Sequence, residues 1–200
     1  MGLKPLRLAT ISLGYILILL CTSVLTVFLV TPFHTPFLGS EQYSPVDAAI
    51  TDYFLHGNEK KLQQETGLTE SEVMHMSDVR EILVKTALIG VTGGILLTLS
   101  RPKKNTEKTV MLASPLYLNG VIMTGVLISS IIGFSKVFEA FHKMFFPQGN
   151  YAFSYSSLLI RTYPESFFAV QGIMIILTLT TLNILIAIGE YMKRKREKKK

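Results

Sequence analysis

Four long apolar runs constrain this chain more than any other feature. Residues 11–30, 82–99, 110–134 and 167–188 each approach the length a helix needs to cross a hydrocarbon core, about 20 residues at 1.5 Å apiece. Hydrophobic residues make up 48% of the chain. Their concentration in these runs makes the bilayer, rather than one large interior core, the main solvent. The expected fold is an all-α membrane protein, a single membrane domain over residues 1–200 with four transmembrane helices.

Charge sets the expected orientation. The formal net charge of +6 comes mainly from the tail MKRKREKKK, with seven basic residues against one acid. A basic run directly after an apolar span marks the cytoplasmic side more often than a nucleic-acid site, so no nucleic-acid partner is expected. Lys4 and Arg7, the loop residues Arg101, Lys103, Lys104 and Lys108, and the tail together hold thirteen lysines and arginines. Residues 31–81 and 135–166 hold six over a much greater length. Both termini are therefore expected inside, with 31–81 and 135–166 forming a small extracellular cap. The amino end has the basic start and apolar middle of a secretory leader. Residues 11–30 are nonetheless long enough to span, and no small-residue cleavage site follows, so an uncleaved first span is expected. Cys21 is the single cysteine, which excludes an intramolecular disulfide.

Residues 31–81 begin with Pro32 and Pro36 and carry nine acids against Lys60, Lys61 and Arg80. Ile50, Tyr53 and Phe54 recur near helical spacing, predicting a short helix from Asp47 that stops at Gly57–Asn58, with a second break at Gly67. Large apolar residues are too few here for an independent core. Thr69 and Glu72 have the spacing of a capping box, so a helix should start there and run through TESEVMHMSDVREILVK into residues 82–99. Gly90, Gly93 and Gly94, and further on Gly120, Gly125 and Gly133, are candidates for close helix approach.

Two histidines flank the apolar runs at matched depth. His75 precedes Ile82 by roughly 10 Å of helix. Phe138, Phe141, His142 and Phe145 recur at helical spacing, extending the third helix so that His142 lies roughly 12 Å past Phe134. A single interfacial histidine usually caps a helix or bonds a carbonyl. Two at one depth among aromatic and charged neighbours make a stronger candidate for acid–base chemistry. The aromatic set Phe145, Phe146, Tyr151, Phe153, Tyr155 and Tyr163 also fits simple interfacial anchoring. His34 and His56 read as structural or solvated. HExxH, paired cysteines and GxSxG are absent, so no metal site and no serine nucleophile is expected; nor is there a nucleotide or redox cofactor motif. Arg80 and Arg161 could each hold a phosphate or carboxylate, or pair with Asp78 or Glu165. An alternative to an enzyme is a membrane sensor or assembly partner acting through the acidic cap. A third reading is a metal-dependent lipid hydrolase.

SEVMHMSDVR before the second run, with FHKMFFPQGNYAF and LIRTYPESFF in and after the second outer segment, resembles the lipoprotein intramolecular transacylase (Lit) family of bacterial membrane proteins. The order of spans agrees across nearly the whole chain. The resemblance implies a multi-pass protein of the bacterial cytoplasmic membrane, with an extracellular cap and two catalytic histidines where cap meets membrane. His75 and His142 fall in the matching motifs. Asp78, Arg80, Phe145, Asn150, Tyr151, Phe153 and Tyr163 then become supporting or substrate-binding candidates. Where the family commonly has tryptophan this chain has Tyr151, and it has no tryptophan at all. The implied partners are membrane lipid and a diacylated bacterial lipoprotein. The implied metal-independent reaction moves the sn-2 acyl chain of its diacylglyceryl group to the α-amino group of its amino-terminal cysteine, giving the lyso-form.

Overall fold

The computed structural model describes residues 3–198, and within them the side chains of residues 3, 126–128, 130 and 131 lie outside the description. The described residues form α-helices joined by turns and loops, with three 3₁₀ helices (Thr31–Phe33, Thr35–Phe37 and Glu41–Tyr43) after the first helix and no strand among them. The helices are α1 (Leu3–Leu29), α2 (Ser44–His56), α3 (Glu59–Thr66), α4 (Glu70–Ser100), α5 (Asn105–Ile132), α6 (Phe134–Phe145), α7 (Leu158–Thr162) and α8 (Glu165–Glu197). Three of them, α1 from Lys4, α4 and α8, are long and apolar enough to cross a membrane.

The local stops are those the sequence dictates. α2 ends at Gly57 and α3 at Gly67, with φ of 77° and 72°, a left-handed cap that glycine adopts without a Cβ penalty. α4 opens on the capping box: Thr69 N donates to Glu72 Oε2 at 2.8 Å, and Glu72 N donates to Thr69 Oγ1 at 3.4 Å. One expectation fails. The third run does not continue unbroken through Phe145, because Gly133 takes φ 93° and separates α5 from α6. Apolar periodicity persists across such a break, so spacing alone does not reveal it.

The chain divides into two compact units. One contains the residues up to Ser23, Ala87–Thr124, and those from Ile175 onward. Its α1 and α4 segments cross at glycine: a Cβ on Gly93 would stand 2.8 Å from Leu17 Cβ, and one on Gly14 2.8 Å from Gly93 O. A Cβ on Gly90 would come to 3.0 Å from Cys21 Cβ. Gly94, Gly120, Gly125 and Gly133 would meet nothing within 4 Å, so of the six glycines expected to permit close approach, Gly90 and Gly93 do so. Several polar groups in this unit are paired. Tyr15 donates to Asn183 Oδ1 at 2.9 Å, and Asn183 donates to the Leu112 carbonyl at 3.2 Å. Pro115 inside α5 leaves the Met111 carbonyl without its usual donor, and the Ser114 hydroxyl supplies one at 2.7 Å. Arg7 joins Glu107 at 3.0 Å and the Arg101 carbonyl at 2.9 Å, while Lys108 joins Glu190 at 2.7 Å. These contacts gather the amino end, the loop before α5 and the start of the basic tail.

The other unit contains Val24–Thr86 and Gly125–Met174. Ala49, Ile50, Tyr53, Leu62, Leu68, Val73, Met76 and Leu159 form its buried core. Residues 31–81 supply seven of these eight residues, and Leu159 of the second outer segment completes the core. Glu72 explains that closure. It is 2% exposed, and its Oε1 accepts the Leu159 backbone N–H at 3.0 Å while Oε2 serves Thr69.

Candidate active site

α4 and α6 bring the two histidines together within the second unit. His75 and Asp78 lie three residues apart and so share a face of α4. On α6, Phe138 and His142 are likewise one turn apart. The His75 and His142 rings stack with centroids 6.2 Å apart and planes inclined by 27°. His75 is 6% exposed and His142 8%.

The shell around them is aromatic. Phe146 touches both rings, at 4.7 Å from His75 and 5.5 Å from His142. Phe153 packs on His75 at 5.6 Å, Tyr151 on His142 at 5.1 Å, and Phe138 on His142 at 4.1 Å. Burial in this shell pushes His142 below the usual histidine value, outweighing the opposing effect of its backbone hydrogen bond. That bond also assigns the tautomer. His142 Nδ1 lies 2.8 Å from the Phe138 carbonyl oxygen, which can only accept. Nδ1 therefore carries the proton, and the Nε2 lone pair of neutral His142 is left for a substrate.

His75 is supported by a polar relay. Gln148 donates to Asp78 Oδ2 at 2.8 Å, and Asn150 Nδ2 donates to the same oxygen. The Asn150 Oδ1 and the His75 Nδ1 are both buried and have no hydrogen-bond partner among the described residues. Of the candidates from sequence, Asp78, Asn150, Tyr151 and Phe153 thus converge on the histidines. Phe145 lies one turn below Phe141, 4.6 Å from its ring, and helps to line a cavity with Asp78 and Asn150.

Two candidates lie elsewhere. Arg80 points away from Asp78, its guanidinium 6.0 Å from the Tyr53 ring centroid, because positions two apart on a helix face different directions. Tyr163 donates to Asp47 Oδ1 at 2.8 Å, and burial drives its hydroxyl well above the usual tyrosine value, with the Asp47 carboxylate adding to the shift. The same Asp47 oxygen lies 2.7 Å from His34 Nδ1. His34 is therefore not a histidine without supporting neighbours but part of a buried His34–Asp47–Tyr163 cluster. His56 is solvated and pairs with Asp52 at 2.9 Å. Arg161 lies 5.5 Å from the Tyr43 ring centroid and pairs with neither Asp78 nor Glu165 among the described residues. Gln148 is a site residue that sequence reasoning missed; its place in the turn between Pro147 and Gly149, close after His142, was the available signal. Among the described residues no three histidine, cysteine, aspartate or glutamate side chains converge as a metal site would require.

The sequence model of a family described as "Lipoprotein intramolecular transacylase Lit" matches residues 9–168. Two solved structures resemble this fold. The membrane-integral lipoprotein intramolecular transacylase Lit from Bacillus cereus aligns with a TM-score of 0.78 at 18% identity, covering 96% of this chain and 97% of that one. A second Bacillus cereus Lit structure, carrying a histidine-to-arginine mutation, aligns with a TM-score of 0.65 at 20% identity over 98% and 94%. A comparison with curated protein sequences finds no match.

Proposed function

The chain belongs to the lipoprotein intramolecular transacylase family, and from that membership we propose that it moves the sn-2 acyl chain of a diacylated lipoprotein to the α-amino group of its amino-terminal cysteine. The observation that carries this reading is the buried pair of stacked histidines, 6.2 Å apart, one of which has a committed Nδ1 and an open Nε2.

An α-amino group has a reference pKa of about 7.7–8.0 and is mostly protonated at neutral pH. A neutral imidazole can take that proton, and the amine then attacks the ester carbonyl. Nitrogen, Cα, Cβ, sulfur, glyceryl CH2, glyceryl CH, ester oxygen and acyl carbon close a ring of about eight members, which needs a site that folds the headgroup. As the nitrogen bonds to the carbonyl carbon it gives up a second proton to the other, neutral imidazole, and the first imidazolium protonates the departing glyceryl oxygen, leaving an amide on the cysteine and a free hydroxyl on the glyceryl group. His142 suits the first transfer and the later donation to the glyceryl oxygen through Nε2. His75, whose pKa burial lowers to about 4, stays neutral and is the partner that takes the second proton. Tyr151, packed on His142, and Asn150, bonded to Asp78, are polar groups that could donate to the oxyanion.

In this reading α5 is a fourth span beside α1, α4 and α8. Residues 31–81 and 135–166 face the outside of a bacterial cytoplasmic membrane, and both termini lie within. The joining of Arg7, Glu107, Lys108 and Glu190 at one set of helix ends supports that topology, since these basic segments are the ones charge assigns to the inner side. Mass spectrometry of a lipoprotein's amino-terminal peptide, from cells with and without this chain, tests the reaction. Conversion of the diacyl form to the lyso-form is expected only with the chain, and an unchanged diacyl form overturns the reading.

A further inference from the structure

Asp78 is a carboxylate with two amide donors and no cation. Gln148 and Asn150 both serve Oδ2, and Asp78 takes part in no ion pair among the described residues. The cations closest in sequence are committed elsewhere: Lys85 pairs with Glu81 at 2.7 Å and Arg80 lies against Tyr53. Asp78 opens onto a cavity of about 360 Å³ lined also by Glu81, Lys85, Asn150, Ile82 and Phe145. Two carboxylates and one ammonium leave that lining with a net negative charge. His75 stands one turn before Asp78 on α4, and its Nδ1 is buried without a hydrogen-bond partner among the described residues. A carboxylate held by neutral donors, with no donor to its second oxygen among the described residues, is the arrangement that accepts a cationic hydrogen-bond donor.

We propose that this cavity is the subsite for the α-ammonium group of the substrate's amino-terminal cysteine, received by Asp78 Oδ1. The proposal rests on the transacylase reading and names how that substrate is held. Position agrees: Ile82, at the cavity wall, begins the apolar run, so the cavity lies at headgroup level. Size agrees as well, since a water occupies about 30 Å³ of liquid volume and the space holds a cysteinyl head but not two acyl chains. The charge pair also separates capture from activation. Contact with a carboxylate strengthens the amine's hold on its proton. The ammonium must therefore leave Asp78 before a neutral imidazole takes that proton, giving free amine and imidazolium.

The experiment uses the full chain in phosphatidylcholine vesicles and two probes, a diacylglyceryl-cysteinyl peptide with a free amino terminus and its N-acetylated counterpart. Binding is measured below pH 7, where the free terminus is ammonium. The wild type should bind the ammonium probe about tenfold more tightly than the acetylated one. In Asp78→Asn that preference should fall to about twofold or less, with the acetylated probe bound as by the wild type. The falling limb of kcat against pH, where the bound ammonium titrates, should move to lower pH in Asp78→Asn. A merely structural aspartate would weaken both probes alike and leave that limb in place. No ammonium preference in the wild type, an unchanged preference in Asp78→Asn, or equal weakening of both probes overturns the subsite. The wild-type comparison stands even if the variant fails to fold. Conversion of the free-amine probe by the wild type, followed by mass spectrometry, tests the reaction separately: conversion without ammonium preference sinks the subsite alone, and absence of conversion sinks the reaction.

Discussion

The Nδ1–H of His142 is spent on the Phe138 carbonyl, so every proton that residue moves must pass through Nε2. His142→Ala and His75→Ala are each expected to lower conversion by 10²–10⁴-fold or more while the protein still inserts, the range for loss of a positioned general acid or base. Quantifying lyso-form peptide against total expressed protein checks this. Because burial holds His142 below the usual histidine value of about 6.5, it stays neutral at pH 7 and for some distance below. If His142 is the base, activity persists below pH 6.5 and falls only as pH drops through the lowered value; a loss centred at or above 6.5 would contradict that role. The same shift affects stability. Below about pH 6.5 the unfolded chain binds a proton that folded His142 does not, so stability present above that pH declines on acidification.

Tyr163 belongs to different chemistry at the same scale. Asp47→Ala should cost about 3 kcal/mol or more, because it strands His34 and Tyr163 in a buried site. Tyr163→Phe should cost about 1–2 kcal/mol, with conversion per folded molecule retained. Thermal unfolding beside the peptide assay separates the two effects. Tyr163 looked like a site residue in the sequence because it shares a motif with the site. Its partner lies 116 positions away, and no local pattern encodes that distance.

At the scale of elements, Glu72 does two jobs. It closes the capping box of α4 and holds the α7 segment through Leu159. The first was legible as Thr69-x-x-Glu72, whereas the second was not, since a backbone N–H carries no sequence signature. Glu72→Ala should therefore cost about 2–3 kcal/mol, more than the ~1 kcal/mol typical of a lost cap, as read by thermal unfolding. Gly93 likewise has a reason only packing reveals. Six glycines in the apolar runs looked equivalent, but Gly93 stands where a Cβ would meet Leu17 Cβ at 2.8 Å. Gly93→Val is expected to destabilise by about 1–3 kcal/mol or more, and the same change at Gly94, which faces open space, by less.

At the scale of the whole molecule, the proposed topology predicts sidedness. In a Cys21→Ala background, single cysteines at Lys60 or Lys143 should react with a membrane-impermeant thiol reagent added to intact cells, and cysteines at Lys104 or Lys195 should react only after lysis. The reverse pattern would invert the topology. What the sequence by itself determined is what depends on local composition. The apolar runs, the helix stops at Gly57 and Gly67 and the cap of α4 follow from hydrophobicity, backbone freedom and local hydrogen bonding, all of which act within a few residues. Only the tertiary structure decided which side chains meet. It stacked the histidines, routed Asp78 through Asn150 and Gln148, broke the third helix at Gly133, and drew His34 and Tyr163 to Asp47. Those outcomes depend on how helices rotate and cross, and a helical period leaves both rotation and partner open.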